Sequence, residues 1–453
     1  MIENVKTVVL WVMILTSITL TFLVWTYQPD LEPLDETDDV YIDIENLGET
    51  RTNLELLMPR EVIAHDRNSE AMYWIHPTDD RYEELMVRLS NIELEMMTEM
   101  GATNAPSLEG SMRGIELVFE TPIDGDWLQE IFQIDEEDIM IDSVDRIIVR
   151  ETPSANTDVL IQFIDYTNET VFESNTELSS TQLQNFYDGT EQFRTPVEKR
   201  VFQPNGTSSF EEISYVTTES FSMPVLTYES RSLPITSFIQ TLFSNPDYVN
   251  QYFQANQENL YTDGYRVMNM SENNSVLTYI RPDISSSNPI TQSILQASSE
   301  FVNGHFGWTD DYYAMDWSES GMTDHITYRL HVDGMPVMDA NTNQAGHYSI
   351  EIARSGSQIT EYVRPMFQLE DEPLMNVDSR ETLPAFSDLE EQIEQNEPFS
   401  IEEVEDIRVG LEMNRQNSYA FFTPSWFVKV GGSWLQIGIP EDRERQVFND
   451  GLE

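Results

Sequence analysis

The sequence predicts an α+β protein in which one N-terminal membrane-spanning helix precedes a three-domain extracytoplasmic region. Three observations lead there. Residues 7–29 carry no charge. Beyond them, short strand-like apolar runs are interleaved with segments whose apolar residues recur every three or four positions, as on one face of a helix. The chain also has 453 residues, more than one ordinary core accommodates, which suggests about two to four folded units. The expected division is a cytoplasmic tail (1–6), an anchor (7–27), a tether with an N-terminal α+β domain (28–195), a central α+β domain (196–298) and a C-terminal α+β domain (299–453).

The anchor reads TVVLWVMILTSITLTFLVWTY from Thr7 to Tyr27. About 20 apolar residues cross a bilayer, so the run is long enough. Trp11, Trp25 and Tyr27 suit the membrane interfaces, where amphipathic rings settle. The exit through Val24-Trp25-Thr26-Tyr27-Gln28-Pro29 offers no small-residue cleavage site, so the segment reads as an uncleaved anchor rather than a signal peptide. The flank beyond Asp30 is acidic and belongs outside. On the helix, Leu10, Ile14, Ser17, Thr21 and Val24 follow alternating spacings of four and three. Ser17 and Thr21 form a pair of small residues four apart that lets helix backbones approach. This face is the candidate contact with a partner helix, although Ser and Thr here could equally serve their own backbone carbonyls.

After an acidic, Pro-punctuated tether to Asn46, apolar runs about Asn68-Ser69 predict a hairpin over Val62–Ile75. Tyr82, Leu85, Leu89, Ile92 and Met96 predict a helix over Arg81–Met100. Strands follow at Gly114–Phe119, Val144–Arg150 and Val159–Ile164, another is expected to begin at Val171, and short helices fall near Asp126–Phe132 and Ser180–Tyr187. The polar stretch Gln192–Ser209, with Pro196, Pro204 and Gly206, reads as a boundary. Strand residues over Tyr215–Ser230 precede a helix after Leu233-Pro234, a break at Asn245-Pro246 and a second helix from Asp247. Val276–Ile280 pairs with Tyr265–Asn269 about Asn273-Asn274. A helix near Gln292–Val302 opens the last unit, with strands at Ile326–Val332, Tyr348–Ala353 and Ile359–Leu369. A helix through Leu389 and Ile393 then leads, after a break at Asn396-Glu397-Pro398 and a second helix or turn from Ser400, to strands at Tyr419–Phe422, Trp426–Val430 and Trp434–Ile439. SLPITSFIQTLFSNPD and TLPAFSDLEEQIEQNEPF share the order Leu-Pro, helix, Pro-containing break, which suggests an internal repeat.

Charge narrows the function. Twenty-four basic residues oppose 81 acidic ones, a formal net of −57, and Lys occurs only at positions 6, 199 and 429. Such a surface excludes nucleic-acid binding and is repelled by anionic lipid. Acids spread along the whole chain fit a salty or alkaline exterior, where ions screen the repulsion. A face for cations or a basic partner is the competing reading. The absence of cysteine rules out disulfides, thiol nucleophiles and thiolate metal sites. His65, His76, His305, His325, His331 and His347 form no HExxH, and no G-x-S-x-G, P-loop or GxGxxG appears. His325 and His331 share a strand face but lack a third ligand. Asp135-Glu136-Glu137-Asp138 lacks the spacing and central Gly of a calcium loop. No catalytic residue, metal site or cofactor is therefore expected.

The opening ENVKTVVLWVMILTSITLTFLVWTYQPDLEPL resembles the start of YycH-family proteins, chiefly through Trp25-x-Tyr27-Gln28-Pro29. SLPITSFIQTLF, YTDGYRVM (Tyr261–Met268) and VLTYIRPD extend the likeness over most of the chain. The resemblance implies a non-enzymatic accessory regulator of the WalK–WalR two-component system, which governs cell-wall metabolism. It also implies a YycI-like single-pass partner, contact with a WalK-like sensor histidine kinase, and a three-domain α+β exterior whose middle and last domains share a topology. The acidity and scarcity of Lys depart from the family's pattern. An anchored extracellular binding module for a peptide, glycan or cation, without a kinase partner, is the alternative.

Overall fold

The computed structural model describes residues 48–437 apart from 67–70, 78–79, 101–112, 153–157, 186–193, 203–212, 254–257, 283–291, 320–322, 339–345, 375–378 and 417, together with positions 6, 11, 13–17 and 19–20. Met1–Asp43 and Ile44–Glu453 form separate compact units.

In the first unit the described positions are helical and expose Trp11, Met13, Leu15 and Leu20 to their surroundings. Thr19 donates its hydroxyl to the Leu15 carbonyl at 2.8 Å. Among the described residues no helix is long and apolar enough to cross a membrane. Much of the expected anchor, including Leu10, Thr21 and Val24, lies outside the described residues.

The second unit is built on two large sheets. The first takes β1 (Glu61–His65), β2 (Met72–Ile75), β3 (Thr98–Met100), β4 (Gly114–Asp124), β5 (Ser143–Glu151), β6 (Val159–Asp165), β7 (Thr170–Asn175), β8 (Arg194–Val201) and β9 (Ile213–Thr217). Their order is β3-β7-β6-β5-β4-β1-β2-β8-β9, with neighbours antiparallel. The expected hairpin forms, with Val62 opposite Ile75. The expected boundary at 195/196 falls inside β8, so the first sheet runs on to Thr217. Two prolines in Gln192–Ser209 masked a strand that needs few ladder hydrogen bonds at Pro196.

The predicted helix over Arg81–Met100 is shorter, Asp80–Leu89. Ser90 Oγ and Asn91 Nδ2 both donate to the Val87 carbonyl, at 2.8 and 2.7 Å, and divert it from the helical ladder. Glu93 and Leu94 then bridge to Gln133 and Thr176, and β3 pairs with β7.

The C-terminal half supplies β10 (Phe221–Pro224), β11 (Leu226–Ser232), β12 (Asn250–Phe253), β13 (Asn259–Thr262), β14 (Val267–Met270), β15 (Val276–Ile280), β16 (Tyr312–Ser318), β17 (Asp324–Val332), β18 (Met335–Met338), β19 (Ser349–Ser355), β20 (Gln358–Pro365), β21 (Phe367–Leu369), β22 (Arg380–Leu383), β23 (Val404–Gln416), β24 (Tyr419–Val430) and β25 (Ser433–Ile437). β10 pairs with β22. The other strands make one fourteen-stranded sheet, β12-β13-β14-β15-β20-β19-β17-β18-β23-β24-β11-β21, with β16 on β17 and β25 on β24. Strands expected in separate central and C-terminal domains are thus hydrogen-bonded into one sheet. The β15–β20 pair lies within it, with Val276 opposite Pro365.

Each helix in this half precedes an antiparallel run of strands. Ile235–Leu242 leads to β12–β15, Ile294–Gly304 to β16–β20 and Phe386–Asn396 to β23–β25. Both Leu-Pro segments sit at the end of a strand and open a helix, and both leucines, Leu233 and Leu383, are buried. The second helix expected from Asp247 is a single 3₁₀ turn, Pro246–Tyr248, because Asn250–Phe253 instead pairs along β13.

Candidate functional site

Two places join the halves of the second unit. The first is a strap at its N-terminal end. Gly48 and Glu49 donate their amides to the Phe306 and Trp308 carbonyls, each at 2.9 Å, and Trp308 N returns a bond to Glu49 O at 2.8 Å. Arg51 N donates to Asn303 Oδ1 at 3.0 Å while Asn303 Nδ2 donates to the Arg51 carbonyl at 2.9 Å. The strap thus lies on the Ile294–Gly304 helix and the turn after it. The turn needs Gly307, at φ +73°, and the strap needs Gly48, whose missing Cβ would fall 2.2 Å from the Trp308 carbonyl oxygen. Thr52 and Glu55 then cap the short helix Asn53–Leu56 reciprocally.

A groove of about 460 Å³ opens beside the strap, lined by Glu49, Asp310, Asp311, Asp333, Glu370 and Asp371 among others. Arg51 pairs with Asp311 there. Burial pushes the Asp310 carboxyl up to about 6 against bonds from Leu369 N and Thr309 that pull it down.

The second place is the seam between the two sheets. Arg60, just before β1, donates from Nη2 to Asp406 Oδ1 (2.9 Å) and the Ile407 carbonyl (3.0 Å) of β23, and from Nη1 to Asp406 Oδ2. Arg408 of β23 pairs with Glu120 of β4 and lies 4.6 Å from the Trp434 ring centre. Glu61 sits between these pairs. Burial raises its carboxyl above the ordinary range and Asp406 adds to the shift, against Arg60 and Arg408. A cavity of about 50 Å³ adjoins the cluster, with Trp74, Tyr313, His331 and Trp426 in its wall. Burial pushes the His331 imidazole down to about 4, leaving it neutral at neutral pH. Aromatic contacts extend the seam: Trp127 on Trp317 at 4.8 Å, Phe202 against Phe386 at 6.1 Å and Trp74 against Phe221 at 6.0 Å.

Inside the first sheet, Glu116 gathers His65, Arg146 and Tyr215 from three other strands. His65 Nε2 lies 3.0 Å from Oε2, Tyr215 donates its hydroxyl to Oε2 at 2.6 Å, and Arg146 pairs with Oε1. Burial alone would raise this carboxyl, but Arg146 and the two hydrogen-bonding partners outweigh it and hold it at about 2. All four side chains are buried, so the network fixes strands rather than meeting a substrate.

The structure does not assemble the sequence-level candidates into one site. Ile14 and Ser17 occupy described helical positions, while Leu10, Thr21 and Val24 are not described. His325 is exposed and His331 buried, although both lie on β17. No group of three or more metal-ligating side chains occurs among the described residues. Reading the sequence missed the seam, because Arg60, Glu61, Glu120, Asp406 and Arg408 look like any other charges in so acidic a chain. Arg408 gave no local signal either: it alternates with Ile407, Val409 and Leu411 as an outward charge would, yet Ile407 to Leu411 are all buried.

Comparison with known proteins gives the same family twice. The YycH protein N-terminal domain matches residues 3–193 and the YycH protein C-terminal domain matches residues 211–442. The Bacillus subtilis "Two-component system WalR/WalK regulatory protein YycH" is 20% identical over all of this chain and 99% of its own. The crystal structure of YycH from Bacillus subtilis superposes with a TM-score of 0.67 at 18% identity, covering 87% of this chain and 99% of that one. The α+β architecture of two joined sheets is therefore that fold, and the chain belongs to the YycH family.

Proposed function

We propose that this chain is a non-enzymatic, membrane-anchored regulator of a WalK-like sensor histidine kinase that controls cell-wall metabolism. In this reading residues 7–27 span the membrane, residues 1–6 face the cytoplasm and the remainder lies outside, with a YycI-like single-pass protein as companion. The observation that carries the reading is the end-to-end match to a protein named as a WalR/WalK regulator. Helical positions between 11 and 20 with exposed Trp, Met and Leu side chains support the anchor. In this reading the message passes laterally to the kinase through the membrane helix and the region outside. It must come from contacts that differ between two kinase states, since a ligand binding both equally shifts neither. The face Leu10, Ile14, Ser17, Thr21 and Val24 is the proposed contact, because close packing rather than expulsion of water drives helix pairing in lipid.

The test is a membrane crosslinking assay between this protein and the kinase, paired with kinase autophosphorylation in proteoliposomes. Ser17→Leu with Thr21→Leu keeps the segment apolar but adds bulk to the contact face, and is expected to reduce crosslinking several-fold. Thr19→Leu, on another face, is expected to leave it near the wild-type level. Equal crosslinking by both variants moves the contact off this face. Autophosphorylation unchanged by the wild-type protein removes the regulatory reading itself.

A further inference from the structure

The second sheet ends on β12, and this edge is unusual for the molecule that carries it. All four residues of Asn250–Phe253 are exposed, Tyr252 at 55% and Phe253 at 81%. Tyr248 and Tyr265, beside it in the chain and at the end of the β13–β14 turn, are exposed at 72% and 57%. Residues 248–257, YVNQYFQANQ, contain no charge, although 81 acidic residues are distributed over the chain. Natural edge strands are commonly blunted by charge, proline or a bulge, because an open row of N–H and C=O groups templates further pairing. Here the edge has none of these. It pairs regularly with β13, Asn250 opposite Thr262 and Phe253 opposite Asn259, and no strand among the described residues pairs along its other side.

We propose that β12 is a self-association edge, on which a second copy of this chain pairs antiparallel through its own β12. Charge selects that occupant. Two molecules of net −57 repel across any acidic surface, and this edge brings an uncharged strand against an uncharged strand. The strand is also self-complementary. Antiparallel pairing about Tyr252 sets Tyr252 against Tyr252 of the second copy and Gln251 against its Phe253, aromatic and amide partners on common faces. Asp247 and Glu258 flank the bare run, so their counterparts approach at its ends and association requires screening salt. The proposal goes beyond the regulatory reading and stands or falls without it.

The natural chain has no cysteine, which makes single-cysteine crosslinking selective. Directly opposed antiparallel residues have Cα atoms about 4.5–5.5 Å apart, within reach of a disulfide. Full-length protein in nonionic detergent with molar sodium chloride is oxidised, and mass is read by light scattering and non-reducing gels. Tyr252→Cys is expected to form a disulfide-linked dimer on the non-reducing gel, while Tyr419→Cys, an exposed aromatic position on β24, is expected to form no disulfide-linked dimer. Unmodified protein is expected to dimerise at molar salt and dissociate at low salt. Tyr252→Lys with Phe253→Lys abolishes the dimer with unchanged circular dichroism, and Phe253→Ser weakens it should the lysine variant misfold. A monomer at molar salt, a dimer that survives both the lysine and the serine variants, or crosslinking at Tyr419→Cys equal to that at the edge overturns the proposal.

Discussion

Glu116 shows how a single buried charge is tolerated in this fold. Its carboxylate receives Arg146, His65 and Tyr215 together, so desolvation is offset by three partners rather than one. A folded-state value of about 2 against an ordinary 4.5 means the interaction stabilises the protein fully above pH 4.5. That contribution is lost as pH falls through about 2. Glu116→Gln leaves Arg146 buried without its counter-ion and is expected to cost about 3–5 kcal/mol at neutral pH. Urea denaturation over a pH series checks this: the gap between wild type and variant should close from pH 4.5 downward. A gap that stays constant would mean the carboxylate is not charged in the fold. Nothing in the local sequence marks Glu116, since IELVFE reads as a plain strand. Its partners lie 51, 30 and 99 residues away in the chain, beyond any local pattern.

At the scale of elements, the strap and the turns decide geometry that propensity leaves open. Gly48→Ala places a methyl group against the Trp308 carbonyl, and one of the two backbones must move. The expected result is at least roughly tenfold loss of hydrogen-exchange protection at the Glu49 and Trp308 amides, with the β5–β6 amides unchanged. Uniform loss across the molecule would instead indicate global destabilisation. In the β14–β15 connection, Asn273 and Asn274 both take positive φ, 64° and 54°, which a short amide side chain tolerates and a β-branched one does not. Asn274→Val is expected to lower unfolding free energy by about 1 kcal/mol, measured by chemical denaturation. This turn was legible from Asn-Asn between two apolar runs. β23 was not, although it is 13 residues long. A bulge between Val404 and Asp406 interrupts its alternation, and its inward Arg408 reads as a solvent-facing charge until Glu120 is seen across the seam.

For the whole molecule, self-repulsion among the acidic groups governs how stability depends on salt. A net charge of −57 on 453 residues opposes compaction, and salt screens it over a Debye length of about 10 Å at 0.1 M and about 3 Å at 1 M. The thermal midpoint of the full chain is expected to rise by several degrees or more from low salt to molar sodium chloride. Equal midpoints would show that the acids are already compensated. The arginines support this picture by where they are placed. Arg60, Arg146, Arg354, Arg364 and Arg408 are buried or nearly so and bind carboxylates, hydroxyls or carbonyls. A substantial part of the positive charge is thus held internally, and the surface is left acidic.

Composition and periodicity were enough for the α+β class, most strands of the first sheet and the helices after Leu-Pro. Those features are local: a strand or helix announces itself through side chains two, three or four positions apart, and turns through the few residues that accept their dihedral angles. Family likeness was legible too, because it is carried by contiguous stretches. How the halves join was not. The strap on the Ile294–Gly304 helix, the Arg60–Asp406 and Arg408–Glu120 pairs, the continuation of the first sheet through β8 and the merging of two expected domains into one sheet all depend on residues far apart in the chain. In so acidic a sequence a charge destined for burial looks the same as one destined for water, and only its partner across the fold tells them apart.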